Sequence, residues 1–183
     1  MARQNIKVPF GYEPDDERQG ERGSLFVYDA FDDWPQQDVE RVLNAAAERR
    51  FVRAVFYPLH DETLRRMGIR AAQPYYRRTE RLEEQLADAA GEAAAWVTID
   101  RWEGRRKKYT PMDTALRFLA DKYAGPHFIG MTLPVANLAA GFDSFEPWIR
   151  KVRFLLLSDA GRTPRPAEPH ARLLEWANRW DWI

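Results

Sequence analysis

The stretch of sequence that decides the fold spans residues 99–148 and is IDRWEGRRKKYTPMDTALRFLADKYAGPHFIGMTLPVANLAAGFDSFEPW. A helix entrance lies at its centre. Thr110 is a residue type that caps helices, and Pro111 suits the first helical position. Asp113 follows the cap by three residues, where a carboxylate takes part in capping hydrogen bonds. The pattern predicts a helix over residues 110–123 between two apolar strands, which is half of an α/β unit.

Four basic residues stand directly before this entrance: Arg105, Arg106, Lys107 and Lys108. The first N–H groups of a helix have no partner within the helix, and the helix dipole places partial positive charge at that end. Together with the four cations, the entrance favours an anionic ligand such as a phosphate or a carboxylate. A solvated basic loop without a ligand explains the same residues.

Apolar runs extend the pattern in both directions. Strands are predicted at 25–31, 51–59, 96–101, 127–133 and 153–158, and helices at 35–50, 61–67, 75–90, 110–123, 134–140 and 144–152. Strands that alternate with helices at this spacing are typical of parallel β-α-β units with right-handed crossovers. We therefore predict an α/β fold with a five-stranded parallel sheet, helices on both faces and a ligand crevice at the carboxyl ends of the strands.

Three segments are predicted along the chain. Residues 1–23 are polar and rich in breakers, so we expect a flexible arm, and residues 24–158 form the α/β domain. Residues 159–183 comprise a linker and a C-terminal helix over 170–183, which carries Trp176, Trp180 and Trp182. Because each indole has a large apolar surface, this aromatic tail is expected to pack on the domain or to dock on a second copy of the chain.

The composition excludes several classes of function. The 183 residues contain 28 basic and 28 acidic side chains, so the net charge gives no strong signal for nucleic acid or an anionic membrane. The absence of cysteine excludes disulfides, thiolate catalysis and cysteine-ligated metals. His60, His127 and His170 are too scattered for a zinc pattern. No apolar run reaches the roughly 20 residues of a membrane span and no signal peptide is visible, so we expect a cytoplasmic protein.

The second half of the chain resembles a known family. The residues that carry the likeness are, in order, Gly104 and the basic run, Tyr109, Thr110, Asp113, Thr114, Leu116, Phe128, Ile129, Gly130, Phe145, Glu146, Trp148 and the apolar run 154–157. They resemble the bacterial nicotinate mononucleotide adenylyltransferases, nucleotidyltransferases with a Rossmann-like fold of the HUP type. The resemblance implies that Tyr109, Thr110, Trp148 and Gly130, with the cations before them, bind a nucleotide-like or small anionic ligand.

The other half of that family's signature is missing. Active members begin with a glycine-rich turn, GGTFDPxHxGH, whose histidines contact the nucleoside triphosphate. Here the equivalent residues 27–36 are VYDAFDDWPQ, which keep Phe31 and Asp32 but neither the glycines nor the histidines. One missing donor in such a site costs about a hundredfold to a thousandfold in rate. The resemblance therefore implies a degenerate member, a pseudoenzyme for which magnesium is expected only if a nucleoside triphosphate binds.

Acidic residues and one histidine follow the first two predicted strands. Asp29, Asp32 and Asp33 come at the end of the first strand, and His60 follows the second. Paired carboxylates hold metals or act as acid and base, and a histidine titrates near neutral pH. Asp32 and His60 are therefore candidate catalytic residues. Capping of the neighbouring helices explains the same residues without any chemistry.

Three hypotheses of different classes stay open at this point. The first is a degenerate adenylyltransferase-like protein that binds a nucleotide-like or small anionic ligand without efficient transfer. The second is an enzyme with a repurposed crevice, in which the three aspartates or His60 supply acid-base or metal chemistry. The third is an oligomeric adaptor that uses the tryptophan-rich tail as its contact surface.

Overall fold

The computed structural model describes residues 23–183, without the side chains of residues 92–94. Residues 1–22, most of the predicted arm, lie outside the described residues. Six described strands form one parallel sheet: β1 (Ser24–Asp29), β2 (Arg53–Pro58), β3 (Val97–Ile99), β4 (His127–Thr132), β5 (Arg153–Leu157) and β6 (Trp180–Trp182). Their spatial order is β3-β2-β1-β4-β5-β6. The chain order therefore reverses between β1 and β4, and this is where an open α/β sheet forms its crevice.

Helices cover both faces of the sheet. They are α1 (Gln36–Glu48), α2 (Asp61–Met67), α3 (Tyr75–Ala90), α4 (Trp102–Arg106), α5 (Met112–Lys122), α6 (Leu133–Ala139), α7 (Phe145–Lys151) and α8 (Ala171–Glu175). Alternate residues of each strand enter opposite cores, since side chains in a strand point to opposite faces. Phe26 and Tyr28 pack with α5 and α7, whereas Leu25 and Val27 pack with α1 and α3. The predicted α/β fold with helices on both faces is confirmed.

The sheet has one strand more than the sequence predicts, because the tail is not a single helix. Helix α8 ends at Glu175, and the chain then pairs with β5 as strand β6. Trp180 is buried, and its indole N–H donates to the Leu173 carbonyl at 2.8 Å. Between the two tryptophans of β6, Asp181 accepts from Arg153 Nε at 2.7 Å. The aromatic tail thus completes the edge of the sheet, with the period of two that a strand requires.

The predicted cap of the central helix is wrong. Helix α5 begins at Met112, and its N-cap position is Pro111, which makes no side-chain capping bond. Thr110 instead takes part in a tertiary contact, in which its N–H donates to Thr63 Oγ1 at 3.0 Å. Asp113 accepts from Trp148 Nε1 at 2.8 Å and does not cap either. The Thr110 hydroxyl donates to the Lys108 carbonyl at 3.3 Å, so neither candidate side chain caps the first turn of α5.

None of the helices in residues 23–183 combines the length and the apolar composition that crossing a membrane requires.

Candidate functional site

The crevice between β1 and β4 is built around Asp29. Its Oδ2 accepts from the N–H and the hydroxyl of Thr132, both at 2.8 Å, and its Oδ1 accepts from Ala30 N at 2.8 Å and Trp34 Nε1 at 3.3 Å. Burial raises the pKa of Asp29, while these four donors oppose the shift. Since four hydrogen bonds occupy the carboxylate, Asp29 joins the two central strands and has no free acceptor to offer a metal.

The turn after β1 is filled by its own aromatic side chains. Phe31 adopts a φ of 54°, in the left-handed region, and its ring lies 4.7 Å from that of Trp34. Both rings are 2% exposed. Gln85 Nε2 donates to the Trp34 carbonyl at 2.7 Å and fixes the turn from α3. The two rings fill the inside of the turn, and a cavity of about 290 Å³ remains beside it, with Asp29, Trp34, Thr132 and Arg162 among its lining residues.

A buried arginine clamps the same turn from α3. Arg78 is 1% exposed, and its Nη2 lies 2.7 Å from Asp61 Oδ1. Its Nη1 donates to the Ala30 carbonyl at 2.6 Å and its Nε to the Gln73 carbonyl at 3.0 Å. Arg78 therefore ties α3 to the end of β1 and to the first turn of α2. The sequence does not single it out, because arginines on amphipathic helices are mostly exposed.

The three candidate aspartates line the same cavity beside the turn after β1, but they do not converge on one point. Asp32 accepts from the N–H groups of Ala72 at 2.7 Å and Gln73 at 3.1 Å, so it holds the loop before α3. The side chain of Asp33 is 90% exposed and lies 3.9 Å from Arg162. Within residues 23–183 no three His, Cys, Asp or Glu side chains gather in a way that suits a metal ion. The geometry of these aspartates is that of structural hydrogen-bond acceptors.

His60 caps helix α2. Its Nδ1 accepts from Glu62 N at 3.2 Å, and its backbone N–H donates to Glu103 Oε1 at 2.9 Å. Burial lowers the pKa of His60, and the positive charges of Arg78 and Lys107 add to that effect. A neutral ring that accepts through Nδ1 carries its proton on Nε2. The capping interpretation of His60 is the one that the geometry supports.

A second cavity of about 350 Å³ opens at the first turn of α5. We call it the α5 cavity, and its walls are Tyr28, Thr63, Met67, Tyr109, Thr110, Pro111, Met112, Asp113, Phe142, Asp143 and Ser144. The Tyr28 ring comes from the end of β1 and stacks on Tyr57 at 5.9 Å. The Tyr28 hydroxyl is buried and has no hydrogen-bond partner. The cavity therefore combines an uncapped helix N-terminus with the aromatic side chains of Tyr28 and Tyr109.

Only part of the predicted ligand-binding set reaches this cavity. Tyr109 and Thr110 line it, and the guanidinium carbon of Arg66 lies 4.2 Å from the centre of the Tyr109 ring. The cations predicted for the site, Arg105, Arg106 and Lys108, belong to α4 or follow it and are not in the cavity wall. Arg106 covers the ring of Trp102 instead, at 4.9 Å.

The last two residues of the predicted binding set, Trp148 and Gly130, belong to the packed interior of the domain. Trp148 is buried on α7 and reaches the cavity only through its hydrogen bond to Asp113. Gly130 lies in the middle of β4, paired with Val27 on one side and Leu155 on the other. Neither residue is part of the wall of the α5 cavity.

Behind the cavity lies a buried carboxyl group that the sequence reasoning missed. Glu103 on α4 is 0% exposed; its Oε1 accepts from His60 N, and its Oε2 has no hydrogen-bond partner. Burial raises the pKa of Glu103, which the neighbouring Thr63 and Tyr57 hydroxyls and the Arg106 charge partly offset. The sequence signal that could have pointed to a buried polar group here is a pair of tyrosines in two otherwise apolar strands. These are Tyr28 and Tyr57, which lie at matching positions of β1 and β2.

Neither a protein-family model nor a curated protein matches the sequence. The fold is similar to that of the Plasmodium falciparum nicotinic acid mononucleotide adenylyltransferase complexed with NaAD, with a TM-score of 0.63 over 87% of this chain and 74% of that chain. The two sequences are 8% identical, so the likeness is one of fold. The chain has a nucleotidyltransferase-like, Rossmann-like fold.

Proposed function

We propose that the chain binds a mononucleotide-like ligand in the α5 cavity and does not transfer an adenylyl group. The observation that carries this proposal is the α5 cavity itself, in which Tyr109 and Thr110 meet the first turn of α5, a turn without a side-chain cap. The unpaired N–H groups at the start of a helix are a ready site for an anionic group. The cavity volume of about 350 Å³ suits a small ligand.

The wall chemistry supports an aromatic ring with an acidic group attached. Tyr109 lines the cavity, and Arg66, which is not in the wall itself, stacks on the Tyr109 ring at 4.2 Å and places positive charge behind it. The charged side chains in the wall are Asp113 and Asp143, so an anionic group of the ligand has to lie toward the N–H groups of α5 and away from these carboxylates. The first N–H groups of α5 have no side-chain cap and suit the phosphate of a mononucleotide. A mononucleotide satisfies both features at once, because it joins a flat heterocycle to a phosphate.

The crevice between β1 and β4 supports the second half of the proposal. Adenylyl transfer depends on donors that stabilise charge on the reacting phosphate and on a backbone that approaches it closely. Here the rings of Phe31 and Trp34 fill the turn after β1. The guanidinium of Arg78 donates hydrogen bonds to Asp61 and to two backbone carbonyls of the protein itself. No histidine follows β1 in this turn.

The test is thermal stabilisation of the full chain by four separate ligands: nicotinate mononucleotide, nicotinamide mononucleotide, nicotinate adenine dinucleotide and Mg-ATP. A ligand at a hundred times its dissociation constant adds about 2.7 kcal/mol to the free energy of unfolding. We expect at least one mononucleotide to stabilise the chain and Mg-ATP to have no effect. Tyr109→Leu removes the aromatic ring from the cavity wall and should weaken mononucleotide binding about fivefold, since an aromatic contact contributes about 1 kcal/mol.

The matched control is Tyr76→Leu, because Tyr76 is 65% exposed and stands on α3, away from the cavity. This control should bind the mononucleotide as the wild type does. Stabilisation by Mg-ATP alone would contradict the proposal, and so would adenylyl transfer to a mononucleotide at ordinary enzymatic rates. Equal weakening by both tyrosine substitutions would show that the α5 cavity is not the binding site.

A further inference from the structure

Strand β6 forms one edge of the sheet, and no strand within residues 23–183 pairs with its outer side. The Ile183 N–H donates to the Leu156 carbonyl of β5 at 3.0 Å. Successive residues of a strand direct their backbone groups to opposite sides, so the N–H and the carbonyl of Trp182 face away from β5. An edge strand with unpaired backbone groups is able to pair with a strand of another chain.

The side chains of β6 do little to block this edge. Proteins commonly protect an edge strand with a proline, a bulge or an uncompensated charge. The one charged residue of β6 is Asp181, which accepts from Arg153 Nε at 2.7 Å and lies 3.9 Å from Arg49 Nη1. Trp182 is 48% exposed, and its ring meets the buried ring of Trp180 edge-on at 5.1 Å. The edge therefore presents an exposed indole, a side chain that is enriched at the centres of protein interfaces.

Beside this edge, a groove of about 420 Å³ lies between β6 and helix α1. We call it the α1 groove, and its walls are Gln37, Glu40, Arg41, Asn44, Ala45, Glu48, Arg49, Trp182 and Ile183. Arg41 and Glu48 stand on the same side of α1, about two turns apart. The Arg41 side chain is 46% exposed, and Glu48 makes no ion pair among the described residues. Opposite charges are therefore available at both ends of one helical face.

We propose that two copies of the chain associate through this edge, with their β6 strands antiparallel and their α1 helices side by side. A two-fold axis normal to the sheet at Asp181 places Trp182 of each copy beside Trp180 of the other. The same rotation makes the two α1 helices antiparallel, so Arg41 of each copy meets Glu48 of the other.

This charge complementarity is what selects a second copy as the occupant. The backbone groups of β6 fit a strand of any protein, whereas a two-fold interface requires a surface that is complementary to itself. The exposed side of α1 meets that requirement, because its acidic and basic residues lie on both sides of the midpoint between Asn44 and Ala45. The α1 groove shares no wall residue with the α5 cavity, so this proposal does not depend on ligand binding.

The experiment is sedimentation velocity of the full chain at concentrations from about 1 to about 100 μM, the range in which a modest interface dissociates. We expect a concentration-dependent species with twice the monomer mass of 21.4 kDa. Amide hydrogen exchange provides the site-specific measurement. Exchange of the Trp182 N–H should slow as the dimer forms, because this group then donates to the other copy.

A charge exchange tests the contact between the two helices. Arg41→Glu puts like charges opposite each other twice and should raise the dissociation constant of the dimer at least about tenfold. The double variant Arg41→Glu/Glu48→Arg restores both pairs with exchanged signs, so its dissociation constant should return to within about threefold of the wild-type value. The matched control is Arg65→Glu, since exposed Arg65 pairs with Glu62 on α2 as Arg41 pairs with Asp38 on α1. This control should dimerise as the wild type does.

Two substitutions at Trp182 test the strand contact. Trp182→Ala removes the ring, whereas Trp182→Pro removes both the ring and the outward N–H and leaves the hydrogen bonds to β5 in place. We expect Trp182→Ala to weaken the dimer and Trp182→Pro to weaken it further.

Three results would overturn the proposal. The first is a full chain that stays monomeric at about 100 μM, the upper end of the tested range. The second is a monomer in which the Trp182 N–H is protected at every concentration, because another segment of the same chain then covers this edge. The third is a dimer that both Arg41→Glu and Trp182→Pro leave intact, since it forms through a different surface.

Discussion

The two openings at the carboxyl edge of the sheet differ in how their polar groups are used. In the crevice between β1 and β4, Asp29 accepts four hydrogen bonds and Arg78 donates three. In the α5 cavity, the Tyr28 hydroxyl and, behind it, Glu103 Oε2 have no partner. Polar groups whose bonds are complete stabilise the fold, whereas buried groups without a partner leave hydrogen-bonding capacity unused behind the α5 cavity. The first opening is therefore a structural joint, and the second is the candidate binding site.

Removal of Arg78 tests the structural joint most severely. Arg78→Met keeps much of the side-chain volume but leaves two carbonyls and the half-exposed Asp61 carboxylate without their donor, and the unpaired acceptors cost about 3 kcal/mol together, at roughly 1 to 3 kcal/mol for each buried one. We expect the free energy of unfolding, measured by urea denaturation, to fall by about that amount. Arg77→Met is the matched control, since Arg77 is the exposed neighbour on the same helix, and its loss should be below about 0.5 kcal/mol. Equal effects of the two substitutions would show that Arg78 is no clamp.

A smaller loss is expected at Asp29. In Asp29→Asn an NH2 group replaces one carboxylate oxygen. This group cannot accept a hydrogen bond, so the donors on that side lose their acceptor and face another donor. We expect about 2 kcal/mol of destabilisation in urea denaturation, the cost of leaving buried polar groups unpaired. Asp33→Asn, at a side chain that is 90% exposed, should change stability little. Retention of wild-type stability in Asp29→Asn would mean that the crevice is not held together by this carboxylate.

The smallest effect is a gain in stability on the side of the α5 cavity. Burial raises the pKa of Glu103 in the folded state, so the folded protein binds more protons than the unfolded chain above the ordinary glutamate pKa of about 4.3. Stability of the wild type then falls as pH rises from that value through the folded pKa. Glu103→Gln removes this loss, and we expect it to be more stable than the wild type at pH 8 by about 1 kcal/mol, the cost of one unpaired buried oxygen.

Urea denaturation of both proteins at pH 4.5 and at pH 8 measures the difference between their free energies of unfolding. This difference should be close to zero at pH 4.5. If Glu103→Gln is less stable than the wild type at both pH values, the Glu103 carboxyl group stabilises the fold through its hydrogen bonds, as Asp29 does. The difference between the crevice and the α5 cavity would then not hold for Glu103.

The order of helices and strands could be predicted because local signals agree with the fold. Helix α2 (Asp61–Met67) and helix α3 (Tyr75–Ala90) have the predicted bounds, since Gly68 ends the first in the left-handed conformation and Pro74 precedes the second. Strand β6 was missed because three residues are too few to show a period of two. Its existence depends on pairing with β5, which no local pattern reveals.

The candidate site was predicted only in part, for a different physical reason. Tyr109 and Thr110 were found from their place before a helix, which is a local property. Tyr28 and Glu103 matter because they lack a partner, and that is a property of the packed molecule. The same limit explains the error at Thr110, because its N–H is held by the distant Thr63 while its hydroxyl donates to the Lys108 carbonyl instead of capping α5.

The hydrogen bond between Trp148 and Asp113 has an optical consequence. The wall of the α5 cavity contains no indole ring, but it contains the carboxylate that accepts from Trp148 Nε1 at 2.8 Å. A ligand that competes for Asp113 changes the environment of that indole, and with it the wavelength and intensity of the emitted light. The chain therefore carries its own fluorescent reporter of occupancy, and Trp148→Phe is the variant in which that signal should vanish.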